Sequence, residues 1–358
     1  MSYFKLEPSY SFKLKSMPRN GKLKETITNV CNVPRTTVVV DYNANCLICG
    51  CDGWLPIPVG KVLDFETIDD VWNSPIAKNI QKDIDEKKYT WCAVNHCGIK
   101  LHDIVPTSYS LQINIDDSCN LSCPSCRREQ IMHVDGPEVE YKQRSLDRIS
   151  SWLENFNHPI HITLSGNGDP LASHIIRPFL KKYKPADNQS FTLQTNGLLI
   201  KKQLLNFPIL ESIKLFSISI DAAYAETYKD IRRGGDWDVL MENFEFIKSI
   251  NKNHLTVLNF CVQKKNYKEI EQFIDLCKSF GFRPNVHHLD DWGTWNSKDV
   301  IVPDSWTQQH GTFVSHNVLD EKNSEYISCQ NYIRDLLTKN KDNKKFFSNR
   351  LLELLKLA

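Results

Sequence analysis

The sequence lacks an excess of charge of either sign. It has 44 lysine and arginine residues against 43 aspartate and glutamate residues, which leaves a formal net charge of +1. A chain so balanced presents no single-sign electric field, and this speaks against nucleic acid and anionic membranes as partners.

Long hydrophobic runs are also missing. No stretch of about 18 apolar residues occurs, although a membrane-spanning helix needs roughly that length. The segment that begins at Met1 has no apolar core of the kind that marks a secretory signal. The sequence therefore predicts a cytoplasmic protein with no membrane partner.

Cysteine, in contrast, is abundant. The 358-residue chain has 12 cysteines, and nine of them lie between Cys31 and Cys126. A disulfide framework is not expected in a reducing compartment, so this clustering favours ligation of a metal or an iron–sulfur cluster. The length suffices for one large domain and a smaller one.

Strand-like and helical segments alternate between residues 110 and 290. Such alternation implies a parallel sheet with helical crossovers, either an open barrel or a doubly wound sheet. The strands are predicted at 110–116, 159–164, 190–195, 214–220, 254–263 and 284–289, with the clearest helices at 146–156, 175–183, 239–250 and 270–280.

The predicted strands alternate polar and apolar residues, whereas buried parallel strands usually read as continuous apolar runs. A period of two puts each polar set on one face of the sheet. This pattern favours a barrel with a polar lumen, and the alternative is polar strand ends at a surface. The polar sets are Gln112, Asn114 and Asp116; Thr192, Gln194 and Asn196; Ser217, Ser219 and Asp221; and Asn259, Cys261 and Gln263.

Three cysteines with the spacing C-x3-C-x2-C follow the first of these strands: Cys119, Cys123 and Cys126. Three thiolates leave one iron of a four-iron cluster open to another ligand. The C-terminal end of a strand is also where an α/β barrel binds its cofactor. The run resembles the signature of radical S-adenosylmethionine (SAM) enzymes, with Ser125 at a position that is often aromatic in that family.

The resemblance implies an α/β fold, a partial (β/α)6 barrel of radical SAM type, and an enzyme that binds a 4Fe-4S cluster and SAM. In this family the open iron binds the methionine moiety of SAM. One electron then breaks the sulfonium bond, and the 5′-deoxyadenosyl radical abstracts a hydrogen atom from the substrate. A one-electron reductant such as flavodoxin or ferredoxin is the implied partner.

The loops after the next three strands resemble further motifs of the family. Residues 165–171 resemble its Gly-Gly-Glu-Pro motif, 194–197 its Thr-Asn-Gly element, and 226–235 its Tyr-x-x-Ile-Arg-Gly segment. The last match implies that Arg232 pairs with the methionine carboxylate, and the alternative is a solvated arginine at a helix end. The implied SAM-binding residues are Ser165, Gly166, Asn167, Gly168, Asp169, Gln194, Asn196, Ser219, Asp221 and Arg232.

Six more cysteines between residues 31 and 97 resemble the SPASM/twitch module, an auxiliary iron–sulfur domain, although that module normally follows the barrel. The resemblance implies a second 4Fe-4S cluster, and the alternative is a structural zinc ion. The choice among Cys46, Cys49 and Cys51 stays open. The preferred ligands are Cys31, Cys49, Cys51, Cys92 and Cys97. The predicted domains are 1–105 for this module, 106–295 for the barrel and 296–358 for a C-terminal helical extension.

The reaction that follows hydrogen abstraction is less defined by the sequence. The auxiliary module implies modification of a peptide or protein side chain, by a crosslink, an oxidation or an epimerisation. The alternatives are a dehydrogenase or epimerase of a sugar or small metabolite, and a non-catalytic iron–sulfur or zinc protein. The first 30 residues are too short for a separate winged-helix domain, so capture of a leader peptide is not expected.

Three residues are candidates for substrate chemistry. Cys261 shares the inferred inward face, where its thiol could donate a hydrogen atom, and the alternative is a small buried hydrophobe. His287, at the end of the sixth strand, is a candidate for proton transfer. Cys329 could reach the lumen or the auxiliary site, and the stretch 328–358 is predicted as a lysine-rich helix that closes over the barrel.

Overall fold

The computed structural model describes residues 30–49, 57–92, 108–165, 168–205, 207–289 and 316–357. The chain divides into two compact units. The first takes residues from Met1–Asp116, Val134–Asn167 and Tyr183–Phe191, and the second takes residues from Asp117–His133, Gly168–Lys182 and Thr192–Ala358.

The described elements alternate strands and helices along much of the chain. The strands are β1 Thr37–Val40, β2 Asn45–Leu47, β3 Gly60–Lys61, β4 Tyr109–Ile113, β5 Ile160–Leu164, β6 Gln189–Thr195, β7 Ile213–Ser219, β8 Thr256–Cys261 and β9 Arg283–His287. The α-helices are α1 Val33–Thr36, α2 Ile68–Asn73, α3 Pro75–Asp85, α4 Pro137–Asn155, α5 Ile176–Lys182, α6 Ala225–Ile231, α7 Trp237–Ser249, α8 Ile270–Phe280, α9 Tyr326–Lys339 and α10 Asn349–Leu354.

In the first unit the strand order is β3-β2-β1-β4-β5-β6. Strands β1 and β2 form an antiparallel hairpin, and the Asp41 carboxylate accepts backbone N–H bonds from Asn43 and Asn45 in its turn. Strand β1 also runs parallel to β4, with Val40 opposite Ile113, so the cysteine-rich segment contributes strands to the same sheet.

In the second unit β7, β8 and β9 are neighbours in that order. They run parallel, and Cys261 lies opposite His287. The α/β fold with a parallel sheet is confirmed.

The polar and apolar residues of these strands separate as the alternation predicts. Apolar side chains such as Phe216 and Leu258 are fully buried. On the other face the Asn259 side-chain amide donates to the Ser217 hydroxyl at 2.9 Å, and the Asn285 amide donates to the side-chain oxygen of Asn259 at 2.8 Å. A ladder of polar side chains therefore crosses three neighbouring strands.

Helix α8 shows how the sequence fixes the covering layer. Ile270, Phe273, Ile274 and Cys277 recur at helical spacing and are all buried. The helix ends at Gly281, whose φ of +72° is the left-handed cap that favours glycine. The predicted helix 270–280 is confirmed at both ends.

The C-terminal segment differs from the single helix predicted for 328–358. Helix α9 stops at Lys339 because Asn340 is extended and accepts a backbone N–H bond from Asp342. Phe347 and Ser348 then lie along β9, where the Ser348 N–H donates to the Val286 carbonyl at 2.9 Å. The prediction of one continuous helix is wrong.

Within the described residues, every helix is too short or too polar to span a lipid bilayer.

Candidate active site

The three predicted cluster ligands lie on one loop after β4. The Cys119 N–H donates to the Ile131 carbonyl at 2.8 Å, which ties the two ends of the loop together. The N–H groups of Cys126 and Arg127 both donate to the Cys123 carbonyl at 2.9 Å. These bonds make a compact turn that carries all three thiols.

The three thiols differ in burial. Cys123 is buried, Cys119 is half-buried and Cys126 is exposed. Burial, with the Asp169 carboxylate as a second cause, raises the pKa of Cys119 to about 12, and burial also raises the pKa of Cys123. Such thiols stay neutral on their own and lose their protons when a metal centre compensates the charge.

Hydrogen-bond donors already point at two of the sulfurs. The Leu121 N–H lies 3.4 Å from the Cys119 sulfur, and an amide N–H of Asn196 lies 3.9 Å from it. An Arg232 guanidinium N–H lies 3.7 Å from the Cys123 sulfur. Donors of this kind stabilise anionic sulfur, so the residues present fit a thiolate-ligated cluster.

Gly168 holds the loop after β5 against the cysteine loop. A Cβ atom at Gly168 would lie 2.2 Å from the Ser118 carbonyl oxygen, closer than any carbon can approach. The next residue, Asp169, donates its N–H to the same carbonyl at 2.8 Å. Only glycine permits this approach, directly before Cys119.

The Asp169 carboxylate links this loop to the one after β6. It is buried and accepts hydrogen bonds from the Leu171 N–H at 2.9 Å, the Thr195 hydroxyl at 2.8 Å and the Asn196 N–H at 2.7 Å. Burial raises its pKa although these donors oppose the shift. The Asp169 oxygens thus hold the two loops in place, and Asp169 acts as a positioning residue.

Asn196 faces the cysteine loop. Its amide donates to the Asn120 side chain at 2.8 Å as well as facing the Cys119 sulfur, while its own oxygen accepts the Leu198 N–H at 3.1 Å. Gly197 follows with a φ of +85°, and a Cβ there would lie 2.8 Å from Ile218. The Thr-Asn-Gly element therefore needs its glycine to place Asn196.

Substitution of Asp169 by asparagine should separate these loops. The new amide group would point an N–H at the donors of Thr195, Leu171 or Asn196, and leaving such buried groups unsatisfied costs about 1–3 kcal/mol. Urea denaturation should show a free energy of unfolding that is lower by that amount. Asp187→Asn, at an exposed position, is the matched control and should leave the free energy of unfolding unchanged. Equal stability of the two variants would contradict the positioning role.

Asp221 and Arg232, predicted to contact SAM, form a buried ion pair. Arg232 Nη2 lies 2.6 Å from Asp221 Oδ2, and the side chains are 14% and 5% exposed. The other oxygen of Asp221 accepts the Cys261 N–H at 2.7 Å. Both carboxylate oxygens are therefore engaged by protein groups. Ser219 is half-buried at the end of β7.

The remaining predicted SAM-binding residues are Ser165, Gln194, Gly166 and Asn167. The Ser165 hydroxyl donates to the Asn114 side chain at 2.8 Å. Gln194 is exposed on β6. Gly166 and Asn167 lie outside the described residues.

Two arginines that the predictions did not include support the cysteine loop. Arg233 donates to the Ser122 hydroxyl at 3.0 Å and to the Arg128 carbonyl, and it receives the Ser122 N–H at its own carbonyl. Arg127, which is buried, donates to the Asp117 carbonyl. Arg127 directly follows Cys126 and Arg233 lies within the segment 226–235, and these positions were the available signal.

The candidate substrate residues are placed as follows. Cys261 and His287 end adjacent strands, and the Cys261 thiol donates to the His288 carbonyl at 3.2 Å. Cys329 is fully buried on α9, on the same face as Ile333 and Leu336, and burial raises its pKa to about 12. This environment is typical of a packed core thiol.

The first unit holds the described cysteines of the auxiliary module. Cys46 is fully buried in β2, and burial strongly raises its pKa, whereas Cys31, Cys49 and Cys92 are half-buried. Cys51 and Cys97 lie outside the described residues. The auxiliary ligand set thus stays a prediction.

One known protein family matches part of this chain. Residues 113–277 match the family described as the Radical SAM superfamily. This range begins in β4 and runs into α8, so it includes the cysteine loop and the loops after β5, β6 and β7.

Curated relatives are similar over part of their length. A GTP 3′,8-cyclase of Limosilactobacillus fermentum is 24% identical over 202 residues, which are 54% of this chain and 58% of that protein. An AdoMet-dependent heme synthase of Methanosarcina barkeri is 27% identical over 189 residues, 52% of each protein. The chain spans about half the length of the curated relatives it matches.

Among solved structures, Streptococcus suis SuiB is similar with a TM-score of 0.42 and 16% identity, over 75% of this chain and 53% of that one.

Proposed function

We propose that this chain is a radical SAM enzyme, which cleaves SAM reductively and uses the resulting radical on a substrate C–H bond. The match of residues 113–277 to the Radical SAM superfamily supports this proposal. The carrying observation is the interlocking of three loops. Gly168 packs on the carbonyl before Cys119, Asp169 joins that loop to Asn196, and Asn196 faces the Cys119 sulfur.

Cys119, Cys123 and Cys126 would hold a 4Fe-4S cluster with one iron free for SAM. With cluster and SAM bound, one electron would divide SAM into methionine and a 5′-deoxyadenosyl radical, which would take a hydrogen atom from the substrate to give 5′-deoxyadenosine and a substrate radical. The electron comes from an external one-electron reductant, for which flavodoxin or ferredoxin is our proposal.

The protein's own groups would position SAM. The Asn196 amide and the Ser219 hydroxyl are suited to sugar hydroxyls, because each can both donate and accept hydrogen bonds. The backbone around Gly168, which must lie close to the cysteine loop, is suited to the methionine amino group. Asp169 would act beneath these groups by fixing the loops.

The proposed substrate is a peptide or protein side chain, on the resemblance of the cysteine-rich first segment to the SPASM/twitch module. The curated relatives named GTP 3′,8-cyclase favour a nucleotide as the second candidate. Transfer of deuterium into 5′-deoxyadenosine distinguishes the two. A deuterated tryptic peptide mixture should transfer label, and transfer from ribose-deuterated GTP alone would replace the peptide by the nucleotide.

A second cluster in the first unit makes its own prediction. Anaerobic reconstitution should load about eight irons per chain, the content of two 4Fe-4S clusters. Cys92→Ala should reduce this to about four while reductive SAM cleavage continues, since the cluster at Cys123 is intact. Cys277→Ala, in the buried face of α8, is the control and should keep about eight. About four irons in the unaltered protein would contradict the second cluster.

A further inference from the structure

The motif around Arg232 implies that this residue pairs with the methionine carboxylate of SAM, but in the structure its side chain contacts other groups. The residue directly follows α6, and its guanidinium reaches two groups of the protein. Nη2 lies 2.6 Å from the Asp221 carboxylate, and Nη1 lies 3.7 Å from the Cys123 sulfur. One side chain therefore joins a predicted cluster ligand to a buried acid.

Asp221 holds the guanidinium in that place. Its Oδ1 accepts the Cys261 N–H at 2.7 Å, and its carbonyl accepts the Asn266 amide at 2.9 Å. Its φ of +55° is in the left-handed region, which side chains other than glycine adopt rarely and only where the surroundings fix them. Asp221 is thus held in place through both its side chain and its backbone.

The guanidinium remains charged in this setting. Arginine stays protonated in proteins, and the Asp221 carboxylate 2.6 Å away balances the buried charge. A planar guanidinium held by a carboxylate on one nitrogen presents its other N–H groups in a fixed direction. Here one of them is directed at Cys123.

We propose that Arg232 is a positioning residue that donates an N–H···S bond to the Cys123 thiolate and favours the reduced cluster, with Asp221 setting its position. This inference rests on the proposed function. Reduction adds one negative charge near Cys123, and a neighbouring cation with a hydrogen bond to sulfur stabilises that charge. The Asp221 carboxylate partly offsets the cation, so the two side chains should act on the reduction potential in opposite directions.

The test measures the midpoint potential of the reconstituted cluster by redox titration followed with electron paramagnetic resonance, and the KM for SAM. Arg232→Gln should lower the ratio of reduced to oxidised cluster at a fixed potential about tenfold, a shift of about 59 mV for a one-electron couple. Asp221→Asn should raise the potential instead. Lys229→Gln removes the same charge from the exposed side of α6 and should leave the potential unchanged.

Arg232→Lys keeps the charge and loses the planar fork, so its potential should lie between those of the unaltered protein and Arg232→Gln. If Arg232→Gln does not assemble a cluster, the sign of the Asp221→Asn shift decides. Lower potentials in both variants would indicate a merely structural role and overturn the proposal.

An unchanged potential together with a raised KM for SAM in Arg232→Gln would also overturn it, in favour of the methionine carboxylate as the partner of Arg232. Failure of the proposed function has a different signature. In that case the unaltered protein itself would form no 5′-deoxyadenosine, whatever the variants show.

Discussion

Replacement of Cys123 by alanine should lower the rate of 5′-deoxyadenosine formation by more than about a hundredfold, since even changes around a metal's ligands cost 10- to 100-fold. Cys123 is the buried thiol of the triad and the one that faces Arg232. Its loss leaves two thiolates, of which Cys126 is exposed, so the cluster should not assemble stably at this loop. The measurements are iron content, electron paramagnetic resonance of the reduced protein, and deoxyadenosine by mass spectrometry.

Cys277→Ala is the matched control for this variant. Cys277 is fully buried on α8, and its replacement removes one core sulfur without touching the cysteine loop. Its effect should be confined to a small loss of stability, with iron content and deoxyadenosine formation kept. A Cys123→Ala protein that still formed deoxyadenosine at the unaltered rate would exclude the triad as the site of SAM cleavage.

Gly168→Ala should have the second largest effect, because its Cβ would lie 2.2 Å from the Ser118 carbonyl. The backbone must move, and forcing extra atoms into a packed site costs about 1–3 kcal/mol. The movement separates the loop after β5 from the cysteine loop. We therefore expect both a lower free energy of unfolding and a fall in SAM cleavage of at least about tenfold, as for other changes that disturb groups around a metal's ligands.

Gly136→Ala separates the loss of stability from the damage to the site. Gly136 precedes α4 with a φ of +102°, and a Cβ there meets nothing within 4 Å. Backbone strain should make this variant less stable by about 1–2 kcal/mol. Its cluster content and its deoxyadenosine rate should nevertheless match those of the unaltered protein. A Gly168→Ala protein with full activity would show that close approach of the two loops is unnecessary.

The barrel strands could be predicted from the sequence because their signal is local. The strand predicted at 190–195 appears as β6, Gln189–Thr195, and the one at 214–220 appears as β7, Ile213–Ser219. Period-two alternation and bounding turns lie within a few residues of each other, so they can be read directly. Helix α4 begins earlier than the predicted 146–156, at Pro137, where proline at the first helical position was the unused signal.

The parallel pairing of β1 with β4 could not be predicted in the same way. Val40 and Ile113 are far apart in the sequence, and no local pattern in either segment specifies its partner. The interruption of the C-terminal helix at Asn340 has a local cause instead, the Asn340 side chain that accepts the Asp342 N–H. Asparagine competes with helix in this way by bonding nearby backbone groups.

In the candidate site, too, the residue types could be predicted from the sequence, whereas their contact partners could not. The spacing of Cys119, Cys123 and Cys126 predicts the cluster ligands, because the chemistry requires three thiols on one loop. The roles of Asp169 and Arg232 depend on partners elsewhere in the chain, such as Thr195 and Asp221. Their motifs indicated where they lie, and the structure adds which atoms they engage.

Reductive cleavage of SAM is the central claim, and a single-turnover assay tests it most directly. The reconstituted protein is reduced anaerobically with dithionite, SAM is added, and 5′-deoxyadenosine is quantified against an identical sample of Cys123→Ala. We expect deoxyadenosine to form with the unaltered protein and to stay at background with the variant. No deoxyadenosine from a protein whose cluster is loaded and reduced would contradict it.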